Sequence, residues 1–149
     1  MRAWLVACAL LGLPGPLAAE PSTWRFIDPL IQQNLGIAQG EAPATFFTDH
    51  PDPASATIGL AFHYYESRSG GNSVGLSVGA FARGETGWVF RGPVQGLFGF
   101  DPRDAVFTQN RIEITTTVLK DGEPRCCPTG TARWAFDIAS GQVTQISGP

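Results

Sequence analysis

The adjacent pair Cys126-Cys127 is the most distinctive chemistry in the sequence. Two neighbouring thiols can close a vicinal disulfide, stay reduced and buried, or cross-link separate chains. Neighbouring Cα atoms across a trans peptide lie about 3.8 Å apart, whereas ordinary disulfides span about 4.4–6.8 Å. Closing so small a ring calls for a distorted or cis peptide, and such a bond is easily reduced. No C-x-x-C spacing accompanies the pair, Pro128 and Thr129 lead away from it into a strand, and Arg125 is the one adjacent cation that could lower a thiol pKa. The expected task is to rigidify a turn, and thiol–disulfide redox chemistry at Cys126 and Cys127 is the alternative.

Other groups are weaker. Gly75-Leu76-Ser77-Val78-Gly79 matches the G-x-S-x-G expression of serine hydrolases. That motif works where a strained strand-to-helix turn exposes the serine beside an oxyanion hole. Here it lies inside an alternating strand and another strand follows, so a glycine-rich strand is the expectation. Any base would have to be His50 or His63, the two histidines. His63 shares a strand face with Gly59, Ala61 and Tyr65, and reads as a surface or edge residue. Asp49-His50-Pro51-Asp52 offers three donors, but no H-E-x-x-H, C-x-x-C or EF-hand pattern joins them. Neither a metal nor a cofactor is expected. The segment Phe98-Gly99-Phe100-Asp101-Pro102-Arg103-Asp104 reads as a loop rich in aromatics and charges. Phe98, Phe100, Asp101 and Arg103 are a candidate ligand-facing surface, set against simple burial with Arg103 held by a neighbouring Asp.

Short strands must position these groups. Residues 23–42 hold one short helix, with Asp28 as N-cap, Pro29 at N1 and Gly36 as the stop. Leu30, Ile31 and Leu35 form its buried face. Residues 49–53 are a rigid turn. Then 56–66 alternate with Ile58, Leu60, Phe62 and Tyr64 on one face, and 73–83 with Val74, Leu76, Val78, Ala80 and Ala82. A hairpin loop over 67–72 joins them. Gly75 and Gly79 share a face with Ser77 and Phe81, which predicts a bent strand that another part of the chain approaches closely. After the turn Glu85-Thr86-Gly87 comes Trp88-Val89-Phe90. Residues 111–119 form the clearest strand, with Ile112, Ile114, Thr116 and Val118 on one face and Glu113, Thr115 and Thr117 on the other. Ala132, Trp134, Phe136 and Ile138 alternate again, and 142–147 form a last short strand. Strands joined by tight turns argue against parallel βαβ units. The expected fold is mainly β: a single antiparallel β-meander domain, barrel or sandwich-like, with one short N-terminal helix.

Composition narrows the class. With 43% hydrophobic residues the chain can bury a core. Its formal charge is −3, becoming −4 if Arg2 is lost with a leader. The remaining Lys and Arg are scattered singly, which excludes a nucleic-acid surface or a polybasic membrane patch. Met1-Arg2, an apolar run over 3–13 and the small residues around Ala19 form a signal-peptide pattern, whose apolar core runs about 7–15 residues. It is too short to span a bilayer, which takes about 20. Residues 1–19 are therefore expected to be cleaved after Ala19, despite bulky Leu17 at −3, leaving 20–149 as one secreted or periplasmic β domain with no transmembrane segment. Leu5-Val6-Ala7-Cys8 looks like a lipobox, but the apolar run continues past Cys8, so lipid anchoring there is not expected. Without Cys8, Cys126 and Cys127 face an oxidising compartment alone.

Within this frame Lys120-Asp-Gly-Glu-Pro-Arg-Cys-Cys-Pro-Thr-Gly-Thr-Ala-Arg-Trp134 resembles a Cys-Cys-Pro-(Thr/Ser) segment of bacterial secreted proteins and lipoproteins, mycobacterial lipoproteins among them. In these a Thr-rich strand enters the turn and an aromatic strand leaves it, as Ile112 to Leu119 and Arg133 to Phe136 do here. The resemblance implies a cell-envelope context and no assigned activity, and membrane anchoring does not carry over without a well-placed lipobox. No acid–base pair, metal cluster or nucleophile stands in a credible context. The expected function is a non-catalytic binding or structural module, rather than an enzyme, whose partner is an envelope protein, a glycan or a small ligand.

Overall fold

Alternating side chains bury one face of each strand, and a computed structural model shows where those faces meet; it describes residues 24–66 and 74–149. The expected leader with its cut after Ala19, Cys8 and the 67–72 turn lie outside the described residues.

Two four-stranded antiparallel meanders follow one another along the chain. The first holds β1 (Thr45–Thr48), β2 (Ile58–Glu66), β3 (Val74–Gly84) and β4 (Gly87–Pro93) in sequence order. The second holds β5 (Phe100–Phe107), β6 (Arg111–Val118), β7 (Gly130–Asp137) and β8 (Val143–Ser147), again in order. The fold is thus mainly β, and of the two expected shapes the sandwich is found, with no closed barrel. Leu60, Phe62, Val78 and Ala80 of the first sheet pack against Ile112, Ile114, Val118, Ala132, Trp134 and Phe136 of the second. Val94 and Leu97, on the connection between the sheets, complete this inner core.

The first sheet is buried on its other face too. A 3-10 turn (Arg25–Ile27) runs into α1 (Asp28–Leu35), and Trp24, Ile27 and Ile31 pack with Ala61 and Phe81. Half-buried Phe46, Trp88 and Phe90 fill in around them. Asp28 is not the N-cap: the preceding turn already holds it at φ −50° and ψ −45°, and Ile27 takes the cap position without a side-chain bond. Gly36 ends α1 at φ 71°, its N–H donating to Gln32 O. No helix among the described residues is long and apolar enough to cross a membrane.

The segment from Phe98 to Asp104 is not one loop. From Phe100 onward it is β5, an edge strand whose pairing with β6 slips between Phe100 and Arg103 and again between Arg103 and Val106. Asp101 and Asp104 absorb these bulges in the left-handed region, at φ 49° and 53°. Their short polar side chains tolerate that conformation better than most residues do. Turn-forming residue types therefore mark bulges here.

Candidate functional site

The inner core opens at one end into a cleft of about 520 Å³, within the usual range for small-molecule sites, roughly 300–1,000 Å³. One wall is Tyr64 of β2 with Val74 and Leu76 of β3, Tyr64 and Leu76 being paired across the strands. The opposite wall is the end of β6, Thr117 and Val118, with Leu119 and Asp121 beyond it. The connection Leu97-Phe98-Gly99 and the first residue of β5, Phe100, close one side, and Gln145 and Pro149 stand at another. Among the described residues Asp121 is the one charged side chain in the lining, and no Lys or Arg joins it.

Hydrogen bonds fix the aromatic rim. The Tyr64 hydroxyl donates to Gly99 O at 2.9 Å, and its ring stacks on Phe100 with centroids 5.9 Å apart. Burial, reinforced by the Asp101 carboxylate, pushes the Tyr64 phenol up to about 12, so it remains a neutral donor across the physiological range. Trp134 Nε1 donates to Thr116 Oγ1 at 2.7 Å, and that hydroxyl donates to Phe98 O at 2.8 Å. Phe98 meets Trp134 edge-on at 4.5 Å. Buried polar atoms thus set the backbone of a segment whose side chains stay exposed, Phe98 by 55% and Phe100 by 40%.

Of the four residues expected to face a ligand, Phe98 and Phe100 line this cleft, whereas Asp101 and Arg103 do not. Arg103 instead braces the bulged edge: its Nη1 donates to Asp101 O, Asp101 Oδ2 and Thr117 Oγ1 at 2.9, 3.1 and 2.9 Å. Tyr64, Leu76 and Val118 are lining residues that the sequence places only on one face of their alternating strands. Their alternation is that of any inward face, and nothing local marks where two sheets diverge.

Cys126 and Cys127 lie in the β6–β7 turn as a vicinal disulfide across a trans peptide, with Cα atoms 3.8 Å apart. Of the three states open from the sequence the vicinal disulfide is therefore the one found, and both residues are exposed. The turn has a second fastening. Glu123 accepts the Thr129 hydroxyl on Oε1, and the Lys120 and Thr129 N–H groups on Oε2, each at 3.0 Å. These bonds, the Thr129 hydroxyl foremost, hold its carboxyl down at about 2 against an ordinary 4.5. The folded value lies below the unfolded one, so the clasp is complete above pH 4.5 and is lost as pH falls towards about 2. The Thr129 amide resonance should therefore titrate with a midpoint near 2, and Glu123→Ala should abolish that step. A Thr129 midpoint at the ordinary glutamate value would show that the clasp is not formed.

His63 is not a surface or edge residue: it is 2% exposed, in a strand paired on both sides. The face it shares with Ala61 is the one covered by the helical layer. Ser77 sits directly opposite it across the β2–β3 pairing, and Glu41 Oε2 stands 3.3 Å from its Nε2. The three residue types of a hydrolase triad thus come together, but neither ring nitrogen of His63 has a hydrogen-bond partner. The N–H groups of regularly paired strands, as β2 and β3 are at His63 and Ser77, also lie in the plane of the sheet, so none is aimed at the face where an oxyanion would form. Asp49 and Asp52 are occupied as well. Asp49 accepts Thr57 N, Thr57 Oγ1 and Ile58 N, while Asp52 accepts Ala54 N and Ser55 Oγ. Among the described residues no group of three or more His, Cys, Asp or Glu could hold a metal ion. No protein-family model, curated protein or solved structure matches the chain.

Proposed function

We propose that this chain is a non-catalytic binding module of the bacterial cell envelope, periplasmic or secreted, that takes a small apolar molecule into the cleft at the end of its sandwich. The observation that carries this reading is the clustering of exposed apolar groups. Val74, Phe98, Phe100 and Leu119 are each at least 40% exposed, and all four ring this one cleft. Exposed apolar surface gathered in one place marks a binding site, whereas scattered residues need no explanation. The slot between two sheets, floored by Leu76, Leu97 and Val118, suits a slender neutral molecule such as an acyl chain. With Asp121 as its one charge it disfavours a carboxylate inside. The export pattern over 1–19 and the resemblance around Cys126-Cys127 support the envelope address.

Decanol titrated into the protein should perturb Trp134, the indole behind Phe98, saturably and more tightly than decanoate does. Leu76→Trp fills the cleft and should weaken decanol binding at least about tenfold, a loss of some 1.4 kcal/mol, with the far-UV dichroism unchanged. Undiminished binding to a folded Leu76→Trp variant would remove the cleft from consideration.

The exposure of both cysteines favours a second reading, thiol–disulfide exchange with an envelope dithiol. Because Glu123 clasps the turn independently, the bond can open without releasing the strands. Reduction should then leave the Thr129 titration where it was, and a turn that melts on reduction would mean a purely structural bond.

A further inference from the structure

We propose that a second pocket, beneath the C-terminal end of α1, binds a protonated primary amine. The glycine-rich motif of β3 makes this pocket. A Cβ on Gly75 would stand 2.3 Å from the Tyr65 ring, and one on Gly79 would stand 2.8 Å from Leu35 Cδ2. The ring and the leucine therefore lie down on the two glycines, and between them Ser77 and His63 face a cavity of about 350 Å³. The G-x-S-x-G pattern here opens a hole in a packed layer. It does not build a nucleophile elbow.

The charged side chains around that hole favour a cation. Glu41 and Glu66 bring two carboxylates, and among the described residues no Lys or Arg lines the pocket. Leu35 and Gly36 bring the carbonyl end of α1, whose partial charge is negative. The Tyr65 ring, stacked on His63 with centroids 6.2 Å apart, offers an aromatic face to an ammonium group. Glu41 is itself held in place by the Ala38 N–H, which donates to its Oε2 at 2.8 Å.

The unpartnered His63 is the independent observation. Neither buried ring nitrogen of His63 has a hydrogen-bond partner, although Glu41 Oε2 stands 3.3 Å from Nε2, so a neutral ring holds at least one buried acceptor without a donor. Proteins seldom leave a buried acceptor so. An ammonium head brings three donors to walls that hold acceptors and the Ser77 and Tyr65 hydroxyls, while its organic body rests on Leu35 and the Tyr65 ring. A quaternary ammonium has the charge without the donors, which separates the two contributions.

The test uses the full chain, labelled with nitrogen-15 and titrated with benzylammonium while the His63 ring and Ser77 amide resonances are followed. Saturable shifts at both are expected, with benzyl alcohol and benzyltrimethylammonium each binding at least about tenfold more weakly. Glu66→Gln, a change at an exposed side chain, should cost about tenfold in affinity, and Glu41→Gln the same or more. His63→Asn is not needed, so a folding defect at the buried ring does not obscure the result. Absence of a saturable shift, equal binding of benzyl alcohol or of the quaternary amine, or indifference to Glu66→Gln would each overturn the proposal. Decanol binding at the other cleft is unaffected by these variants, so the two sites stand or fall separately.

Discussion

Trp134→Ala should destabilise the protein by about 3–5 kcal/mol, the range for truncating a buried indole. Trp134 is 3% exposed and sits on β7 in the inner core, against Phe98 of the cleft rim. Its removal leaves a cavity behind Phe98, which rests on it at 4.5 Å, and takes away the donor to Thr116 Oγ1. Thr116 in turn holds Phe98 O, so the rim of the cleft loses its anchor. Trp134→Phe keeps a ring against Phe98 and loses the N–H, and should recover more than half of the loss. Urea unfolding midpoints at constant slope measure both. A cost for Trp134→Ala below about 1 kcal/mol, the level of an ordinary substitution, would show that the indole does not anchor the core behind the rim.

Gly99→Ala should cost about 2–4 kcal/mol, combining an unfavourable backbone angle with overpacking. Gly99 has φ +110°, and a Cβ there would stand 2.4 Å from Thr116 Oγ1 and 2.8 Å from Thr117 O. The second atom belongs to the sheet backbone and cannot swing aside. The rim would have to lift, breaking the bond that Gly99 O accepts from Tyr64. Gly92 supplies the comparison: its φ is +137°, but nothing lies within 4 Å of its Cβ position. Gly92→Ala should therefore show the backbone cost alone, and the difference between the two variants isolates the close approach. Decanol affinity should fall in Gly99→Ala and hold in Gly92→Ala. Equal costs for both would refute the close approach at the rim.

The two largest effects fall on the cleft, yet the residues behind them carried unequal signals. Trp134 stood in a clean alternation with Ala132 and Phe136, so its burial was legible. Phe98 and Phe100 stood out as surplus aromatics. Gly99 looked like a loop glycine, because its constraint comes from Thr116 and Thr117, on a strand reached only after the chain turns back.

His63 shows the opposite failure. Period-2 alternation places it opposite Phe62 correctly, but alternation cannot say whether the second face meets water or a helix. Gly59, Ala61, Gly75 and Gly79 are small because Phe46, Leu35 and Tyr65 lie against that face. Small residues on a strand read equally well as solvent-facing filler.

By itself, the sequence determined six of the eight strands, all but β1 and β5, together with their alternating faces, their antiparallel order and the place of the short helix, since these follow from local periodicity and turn chemistry. It also determined that Cys126 and Cys127 must find each other or nothing else within 20–149, if the leader is removed. Only the tertiary structure decided between barrel and sandwich, turned a loop into a bulged edge strand and exposed both cysteines. It alone buried His63 beside Ser77 and Glu41 and opened the cleft at Phe98 and Phe100. Those outcomes depend on which faces meet across the fold, and contacts between distant segments leave no period in the chain to read.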